Sequence, residues 1–169
     1  MSALPAETGA SKLILVVDDV EDNRLILDRA LRSSGYSTIL ADGGRRALSI
    51  ISQQMPDMIL LDWMMPELSG LETLRAIREH HPKSRLPVIM CTAIGEEMSI
   101  VTAIDEGAND YMVKPISIPV LRARMAAHLE QRCVIDTLGS AKEAAERRLC
   151  EQTRTLLGMG ASRPASRPQ

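Results

Sequence analysis

Up to residue 114, short apolar runs alternate with longer amphipathic stretches. The runs are rich in branched side chains, a pattern typical of strands that are buried on both faces of a sheet. Gly and Pro residues separate many of the runs from the stretches between them, as expected at the ends of secondary-structure elements. The pattern predicts five strands, at Leu13–Val17, Tyr36–Ala41, Met58–Leu61, Val88–Cys91 and Asp110–Val113.

The stretches between these runs have helical periodicity. They predict helices at Asn23–Ser34, Gly44–Gln54, from Ser69 to about His80, and at Glu96–Glu106. The third begins with Ser69-Gly70-Leu71-Glu72, which has the form of a capping box. Strands that alternate with helices imply right-handed crossovers and a parallel sheet covered on both faces, so the predicted fold class is α/β. In such sheets the ligand crevice lies at the carboxyl ends of the strands.

A much longer helix follows this alternating region. Ser117 can cap a helix that starts near Ile118, and helix-favouring sequence continues to about Leu157. An imperfect heptad runs along it, with Leu138 and Ala145 on the neighbouring seam position and with these residues seven apart: Leu121, His128, Ile135, Lys142, Leu149 and Leu156. Gly139 weakens the middle. Two interpretations stay open, a dimerising helix and a solvated helical extension or linker.

The chain therefore divides into four predicted parts. Residues 1–11 form a disordered arm and 12–132 a folded domain. Residues 133–157 form a helical extension or signalling linker. Residues 158–169 form a disordered tail, because Ser-Arg-Pro occurs there twice.

Composition narrows the function classes. Hydrophobic residues make up 45% of the 169 residues and charged residues 25%, which is typical of a soluble domain. The formal charge of −2 gives no reason to expect direct nucleic-acid binding, and no apolar run is long enough to span a membrane. The three cysteines, Cys91, Cys133 and Cys150, lack zinc spacing. We expect a cytoplasmic protein with reduced thiols.

Polar side chains end four of the apolar runs. Asp18 and Asp19 follow the first, Asp62 the third, Thr92 the fourth and Lys114 the fifth. If the strands are parallel, these five residues meet in one site. Singly, each has a plainer interpretation as a helix cap, a turn residue or a solvated side chain, but their joint placement favours a site.

The residue types in this site indicate a particular chemistry. Three neighbouring carboxylates repel one another unless a cation is present. Oxygen ligands favour a hard ion, Mg²⁺ or Mn²⁺. A carboxylate nucleophile, a metal, a lysine and a hydroxyl are the parts needed to receive a phosphoryl group.

Four segments resemble the receiver domain of two-component response regulators, over about residues 12–132. They occur in order and at suitable separations. The resemblance implies a flavodoxin-like, doubly wound five-stranded parallel sheet of order 2-1-3-4-5, to which the long helix is appended. The segments are Val16-Val17-Asp18-Asp19, Leu60-Leu61-Asp62-Trp63-Met64-Met65-Pro66-Glu67-Leu68-Ser69-Gly70, Cys91-Thr92-Ala93, and Gly107-Ala108-Asn109-Asp110-Tyr111-Met112-Val113-Lys114-Pro115.

The resemblance implies a phosphorylation site and a metal site. Asp62 matches the phospho-acceptor of the family. Asp19 matches the direct metal ligand and Asp18 the acidic residue that holds the metal through water. Asp62 also contributes to the metal site, which the backbone carbonyl of Met64 completes.

It also implies residues that bind the phosphate and change conformation. Thr92 and Lys114 match the residues that grip the phosphoryl oxygens, and Ala93 is small, as the family requires beside the incoming group. Tyr111 matches the aromatic residue that turns inward when Thr92 moves. Pro115 matches a proline that usually follows a cis bond.

Two apolar positions are expected to tune the lifetime of the phosphoryl group. Met64 and Ile94 each lie two residues past a key site residue. If they flank the path of the attacking water, they slow hydrolysis. The alternative is that both side chains simply pack against the protein.

The predicted function is a signalling switch, phosphorylated by a sensor histidine kinase or a histidine phosphotransfer protein. Only self-phosphorylation and self-dephosphorylation chemistry is expected, so the chain is not predicted to be an enzyme. The switch would act through the face of helix 4, strand 5 and helix 5 and through the C-terminal helix, either of which could form a homodimer, and would control a partner or a fused effector.

Two other function classes fit the sequence less well. The alternative is a Mg-dependent aspartyl-phosphate phosphatase or phosphotransferase, but the dehalogenase type needs Asp-x-Asp and this chain has adjacent Asp18-Asp19. A flavin-binding module is disfavoured because the acidic loop Val20-Glu21-Asp22-Asn23 would repel a flavin phosphate.

Overall fold

The structure is a computed structural model. It describes residues 11–93 and 97–159, except for the side chains of residues 97–100 and 154–159. Ile94 therefore lies outside the described residues. So do the predicted disordered arm, apart from Ser11, and the predicted disordered tail from residue 160 onward.

Five parallel strands form one sheet, in the order β2-β1-β3-β4-β5. This confirms the predicted fold class and strand order. In the register, Val17 lies opposite Ala41 and Leu61, so the carboxyl ends of neighbouring strands are aligned. The strands are β1 (Leu13–Val17), β2 (Ser37–Ala41), β3 (Met58–Asp62), β4 (Val88–Thr92) and β5 (Asp110–Val113).

The helices are α1 (Glu21–Ser33), α2 (Gly44–Gln53), α3 (Gly70–His80), α4 (Glu97–Asp105) and α5 (Ile118–Met159). The first begins two residues earlier than predicted, with Val20 at its N-cap. The predicted capping box of α3 is confirmed: the backbone N–H of Glu72 donates to the Ser69 hydroxyl, and the N–H of Ser69 donates to the Glu72 carboxylate.

Alternate strand residues enter two apolar clusters, one on each face of the sheet. Leu15 and Val17 of β1 belong to one cluster, and Ile14 and Val16 belong to the other. Because successive side chains of a strand point to opposite faces, both faces of β1 are covered. This burial explains why the strands read as continuous apolar runs.

The first part of α5 packs in the second of these clusters, through Leu121, Met125 and Leu129. Leu121 is fully buried there. The first position of the predicted heptad therefore belongs to the core of the domain and is not available to a partner helix.

By its internal contacts the chain divides into two compact units, Met1–Arg132 and Cys133–Gln169. In the second unit, most of the described side chains are exposed. The helix runs to Met159, two residues into the predicted tail. Among the described residues, no helix combines the length and the apolar character that a membrane span requires.

Arg78, near the end of α3, joins three segments at the amino-terminal edge of the sheet. Its guanidinium donates hydrogen bonds to the carbonyls of Gly107 (2.7 Å), His81 (3.0 Å) and Leu86 (3.0 Å) and to Oδ1 of Asn109 (3.0 Å). Burial lowers the pKa of Arg78 to about 10, so it stays charged at neutral pH.

Replacing Arg78 with Ala should destabilise the domain by about 2–4 kcal/mol, because several buried carbonyls lose a charged donor together. Urea unfolding followed by circular dichroism measures the loss. Arg122→Ala, at an exposed position of α5, is the control and should change stability by less than about 0.5 kcal/mol. If both substitutions lowered the free energy of unfolding equally, the hydrogen bonds of Arg78 would contribute no more to stability than an exposed arginine does.

Candidate functional site

Three acidic side chains meet where β1 and β3 end. Asp18 follows β1 and is 2% exposed, Asp62 is the last residue of β3 and is 5% exposed, and Asp19 is exposed. One carboxylate oxygen of each lies within 4.8 Å of the others. The parallel register explains this meeting, because it brings the ends of β1 and β3 to the same edge.

Asp18 is held by several donors. Its Oδ1 accepts hydrogen bonds from the Val20 N–H (2.9 Å) and from Nδ2 of Asn23 (3.1 Å), which also donates to Oδ2. Arg24 donates to the Asp18 backbone carbonyl at 2.6 Å. Asn23 and Arg24 were not predicted as site residues. In the sequence, only their position in the first turn of the helix that follows β1 could have indicated a role in the site.

Lys114 connects two of the acids. Its Nζ lies 2.8 Å from Oδ2 of Asp18 and 2.7 Å from Oδ1 of Asp62. The backbone N–H of Lys114 donates to the Thr92 carbonyl at 2.8 Å, which continues the pairing of β4 with β5, and the peptide bond to Pro115 is cis. Burial lowers the pKa of Lys114, but its contacts with Asp18 and Asp62 outweigh this and leave the pKa above its ordinary value.

The pKa of Asp62 is raised above its ordinary value. Burial is the main cause, and the charges of Asp18 and Asp19 add to it, whereas Lys114 pulls the pKa down. The ammonium group of Lys114 thus contacts two of the three carboxylates, so these carboxylates outnumber the ammonium group that neutralises them.

The donor set fits a hard divalent cation. Its ligand atoms are carboxylate oxygens, which Mg²⁺ and Mn²⁺ accept, and they lie close enough to share one ion directly or through water. Such an ion would offset the negative excess that Lys114 leaves.

The loop after β3 passes very close to Asp62. A Cβ at Gly70 would lie 2.0 Å from the Asp62 backbone carbonyl oxygen, so only glycine fits there. The N–H of Gly70 donates to the Trp63 carbonyl at 3.0 Å. Met64, in the same loop, is 65% exposed. Gly70 was predicted as part of a capping box and of a segment that resembles the receiver family, and its steric role became visible in the tertiary structure.

The remaining predicted residues lie on β4 and β5. Thr92 ends β4 and is buried, and its hydroxyl lies 3.4 Å from the Ala93 carbonyl oxygen. Its register partner on β5 is Val113, the residue before Lys114. Tyr111 is half-buried and packs against the first apolar cluster. The structure thus brings Asp18, Asp19, Asp62 and Lys114 into direct proximity and places Thr92 at the neighbouring strand end.

A groove of about 200 Å³ opens beside the acids, between α1 and the segment that joins β5 to α5. Asp18 and Lys114 line one part of it, so it is continuous with the charged site. Its other walls are mostly apolar, formed by Asn23, Ile26, Leu27, Pro115, Ile116 and Ile118.

Comparisons with known proteins all point to the same family. The model of the response regulator receiver domain matches residues 14–126. The chain is 40% identical over 118 residues to the phosphate regulon transcriptional regulatory protein PhoB of Rhizobium meliloti, covering 70% of this chain and 52% of that protein. It is 41% identical over 128 residues to the response regulator MprA of Mycolicibacterium vanbaalenii, covering 76% and 54%.

A solved structure agrees. The receiver domain of a Francisella response regulator superposes with a TM-score of 0.67 at 29% identity, covering 72% of this chain and 98% of that domain. The chain spans about half the length of the curated relatives it matches. It belongs to the receiver domain family of two-component response regulators.

Proposed function

We propose that this receiver accepts a phosphoryl group on Asp62 from a histidine kinase or a histidine phosphotransfer protein. The supporting observation is a buried carboxylate at the end of β3 that contacts Lys114 at 2.7 Å and faces two further carboxylates. No other described group of His, Cys, Asp and Glu side chains has the spacing of a metal site.

In the transfer, a carboxylate oxygen of Asp62 forms a new P–O bond while the P–N bond of the donor phosphohistidine breaks. The leaving imidazole takes up a proton. In the structure Lys114 contacts the Asp62 carboxylate, and on transfer it exchanges this contact for one with a phosphoryl oxygen. The protein contributes mainly positioning and charge neutralisation.

Asp18, Asp19, Asp62 and the backbone carbonyl of Met64 would hold Mg²⁺ or Mn²⁺ in this reaction. The bound ion supplies positive charge to the phosphoryl oxygens. Asp18 is already oriented by Val20, Asn23 and Lys114, so little reorganisation of that carboxylate is needed.

The apolar groove beside the site supports a protein as the phosphodonor. A donor protein must bring its histidine to Asp62, and exposed apolar side chains around α1 offer contact area for it. Val20 is 48% exposed, Leu25 42% and Ile26 61%. Ile26 also lines the groove that reaches Lys114.

Phosphorylation would then change a second surface. The new phosphoryl group adds negative charge and acceptor oxygens, which draw the Thr92 hydroxyl toward it and leave room for Tyr111 to turn inward. Only a bias between two existing states is required. The face of α4, β5 and α5 carries exposed apolar side chains that suit a partner or a second copy: Val101 (60%), Ile104 (37%) and Val113 (37%).

The controlled output is a partner or a fused effector. The relatives named for transcriptional regulation are about twice as long as the region that matches this chain. The proposed chemistry of this chain is confined to gaining and losing the phosphoryl group on Asp62.

Beryllofluoride, a stable mimic of the phosphoryl group, should change the fluorescence of Trp63 in the presence of Mg²⁺, because Trp63 is adjacent to Asp62. Asp62→Asn should abolish the change. Glu67→Gln, an exposed carboxylate of the same loop, is the matched control and should respond like wild type. A response in Asp62→Asn equal to that of wild type would refute the proposal.

Tyr111→Ala should bind beryllofluoride, as reported by Trp63, but lose most of the change at the face of α4, β5 and α5. Hydrogen exchange of backbone amides in α4 and β5 measures that change. Because Tyr111 is half-buried beside this face, its rotation is the proposed link. An exchange response in Tyr111→Ala that matches wild type would exclude this role.

Met64→Asn combined with Ile94→Glu should shorten the half-life of the phosphoryl group about tenfold, equal to about 1.4 kcal/mol of barrier. The side chain of Met64 is 65% exposed, which favours a position at the entrance to the phosphorylation site over one in the core. Release of phosphate from protein phosphorylated with a small phosphodonor gives the rate. Met55→Asn, at another exposed methionine, is the control. An unchanged half-life in the double variant contradicts the proposal.

A further inference from the structure

Asn23, in the first turn of α1, holds the side chain of Asp18. Its Nδ2 donates hydrogen bonds to both carboxylate oxygens of Asp18, at 3.1 Å each. An ionised carboxylate offers acceptors only, so the amide must present its NH₂ group and not its oxygen to Asp18. Because one nitrogen bridges the two oxygens, the contact fixes the rotation of the Asp18 carboxylate.

Arg24, the next residue, holds the backbone of Asp18. Its guanidinium donates to the Asp18 carbonyl at 2.6 Å, and the backbone N–H of Val20 donates to Oδ1 of Asp18 at 2.9 Å. The main chain at Asp18 is therefore anchored without Asn23. A substitution of Asn23 should release the carboxylate of Asp18 while the main chain stays in place.

Packing alone does not explain an amide at position 23. Asn23 lines the groove of about 200 Å³ beside the acids, whose walls include Ile26, Leu27 and Ile116. An apolar side chain would suit these walls better, because burying it there is favourable, whereas a buried amide needs a hydrogen-bond partner. Asp18 is that partner, so the contact with the acid accounts for the residue type.

Asn23 differs from Lys114 in how it tolerates a cation. Lys114 divides its ammonium group between Asp18 and Asp62, at 2.8 and 2.7 Å. A divalent ion among the acids would repel this positive group, whereas the neutral amide of Asn23 can stay in place. Asn23 would therefore hold Asp18 both before and after an ion binds.

We infer that Asn23 is a positioning residue of the proposed metal site and that its hold on Asp18 sets the affinity of the receiver for Mg²⁺ or Mn²⁺. Hydrogen-bond partners of a metal-binding carboxylate orient it, and losing such a partner typically costs about 10- to 100-fold in metal affinity. The inference rests on the metal site of the proposed function but not on phosphoryl transfer to Asp62.

The test is Mn²⁺ binding to the full chain without a phosphoryl mimic, measured by electron paramagnetic resonance of the free ion. Asn23→Leu removes the donor at similar size and should weaken binding about tenfold, equal to about 1.4 kcal/mol. Asn23→Ala does the same with a smaller side chain. Asn23→Gln keeps an amide donor on a longer side chain and should bind Mn²⁺ more tightly than Asn23→Leu.

The matched control is Gln54→Leu, which makes the same amide-to-leucine change at an exposed position directly after α2. It should bind Mn²⁺ like wild type. Asp19→Asn should bind weakly, which verifies that the ion occupies the acidic cluster. Far-UV circular dichroism without Mn²⁺ verifies that each variant is folded.

Equal Mn²⁺ affinities of wild type and Asn23→Leu would overturn the inference. So would equally weak binding by Asn23→Leu and Asn23→Gln, because the amide donor would then not be responsible. A wild type that binds no Mn²⁺ would overturn it together with the proposed metal site. If Mn²⁺ binding follows the expected order but beryllofluoride leaves Trp63 unchanged, the phospho-acceptor proposal fails and this inference stands.

Discussion

The charge balance at the ends of β1 and β3 is the constraint on which the rest of the site depends. Asp18 and Asp62 are both buried, and a single ammonium group, that of Lys114, contacts both of them. Burying two carboxylates is tolerable only with such a partner and with hydrogen bonds to the remaining oxygens. A divalent cation at the proposed metal site would offset the negative charge that remains.

The sheet positions the residues that set this charge balance. In the sequence 51 residues lie between Asp62 and Lys114, yet parallel pairing through β4 brings their strand ends to one edge of the sheet. The apolar clusters on both faces hold the strands in register, and a slip of one residue would turn each of these side chains to the other face. Core packing and site chemistry are therefore parts of one arrangement.

The long helix α5 contributes residues to both units of the chain. Leu121, Met125 and Leu129 belong to the core of the receiver domain, whereas the apolar side chains beyond Arg132 include three that are exposed: Val134, Leu138 and Leu149. The sequence pattern changes at the same place, since the four-residue spacing of the apolar residues in the core does not continue to the exposed ones. A heptad fitted across the whole helix mixed these two patterns, which is why its first position turned out to be buried in the core.

Hydrophobic patterning and turn residues alone determined the strands, the α/β class, the capping box of α3 and the extent of α5, because these depend on local periodicity and on side-chain hydrogen bonds within a few residues. The motifs also named Asp18, Asp19, Asp62, Thr92 and Lys114. Only the tertiary structure decided that Asn23 orients Asp18, that Gly70 must lack a side chain beside Asp62, and that Leu121 is unavailable to a partner. Each of these depends on a distance between segments or on the cover that one element gives another, and such distances are set by packing and not by local sequence.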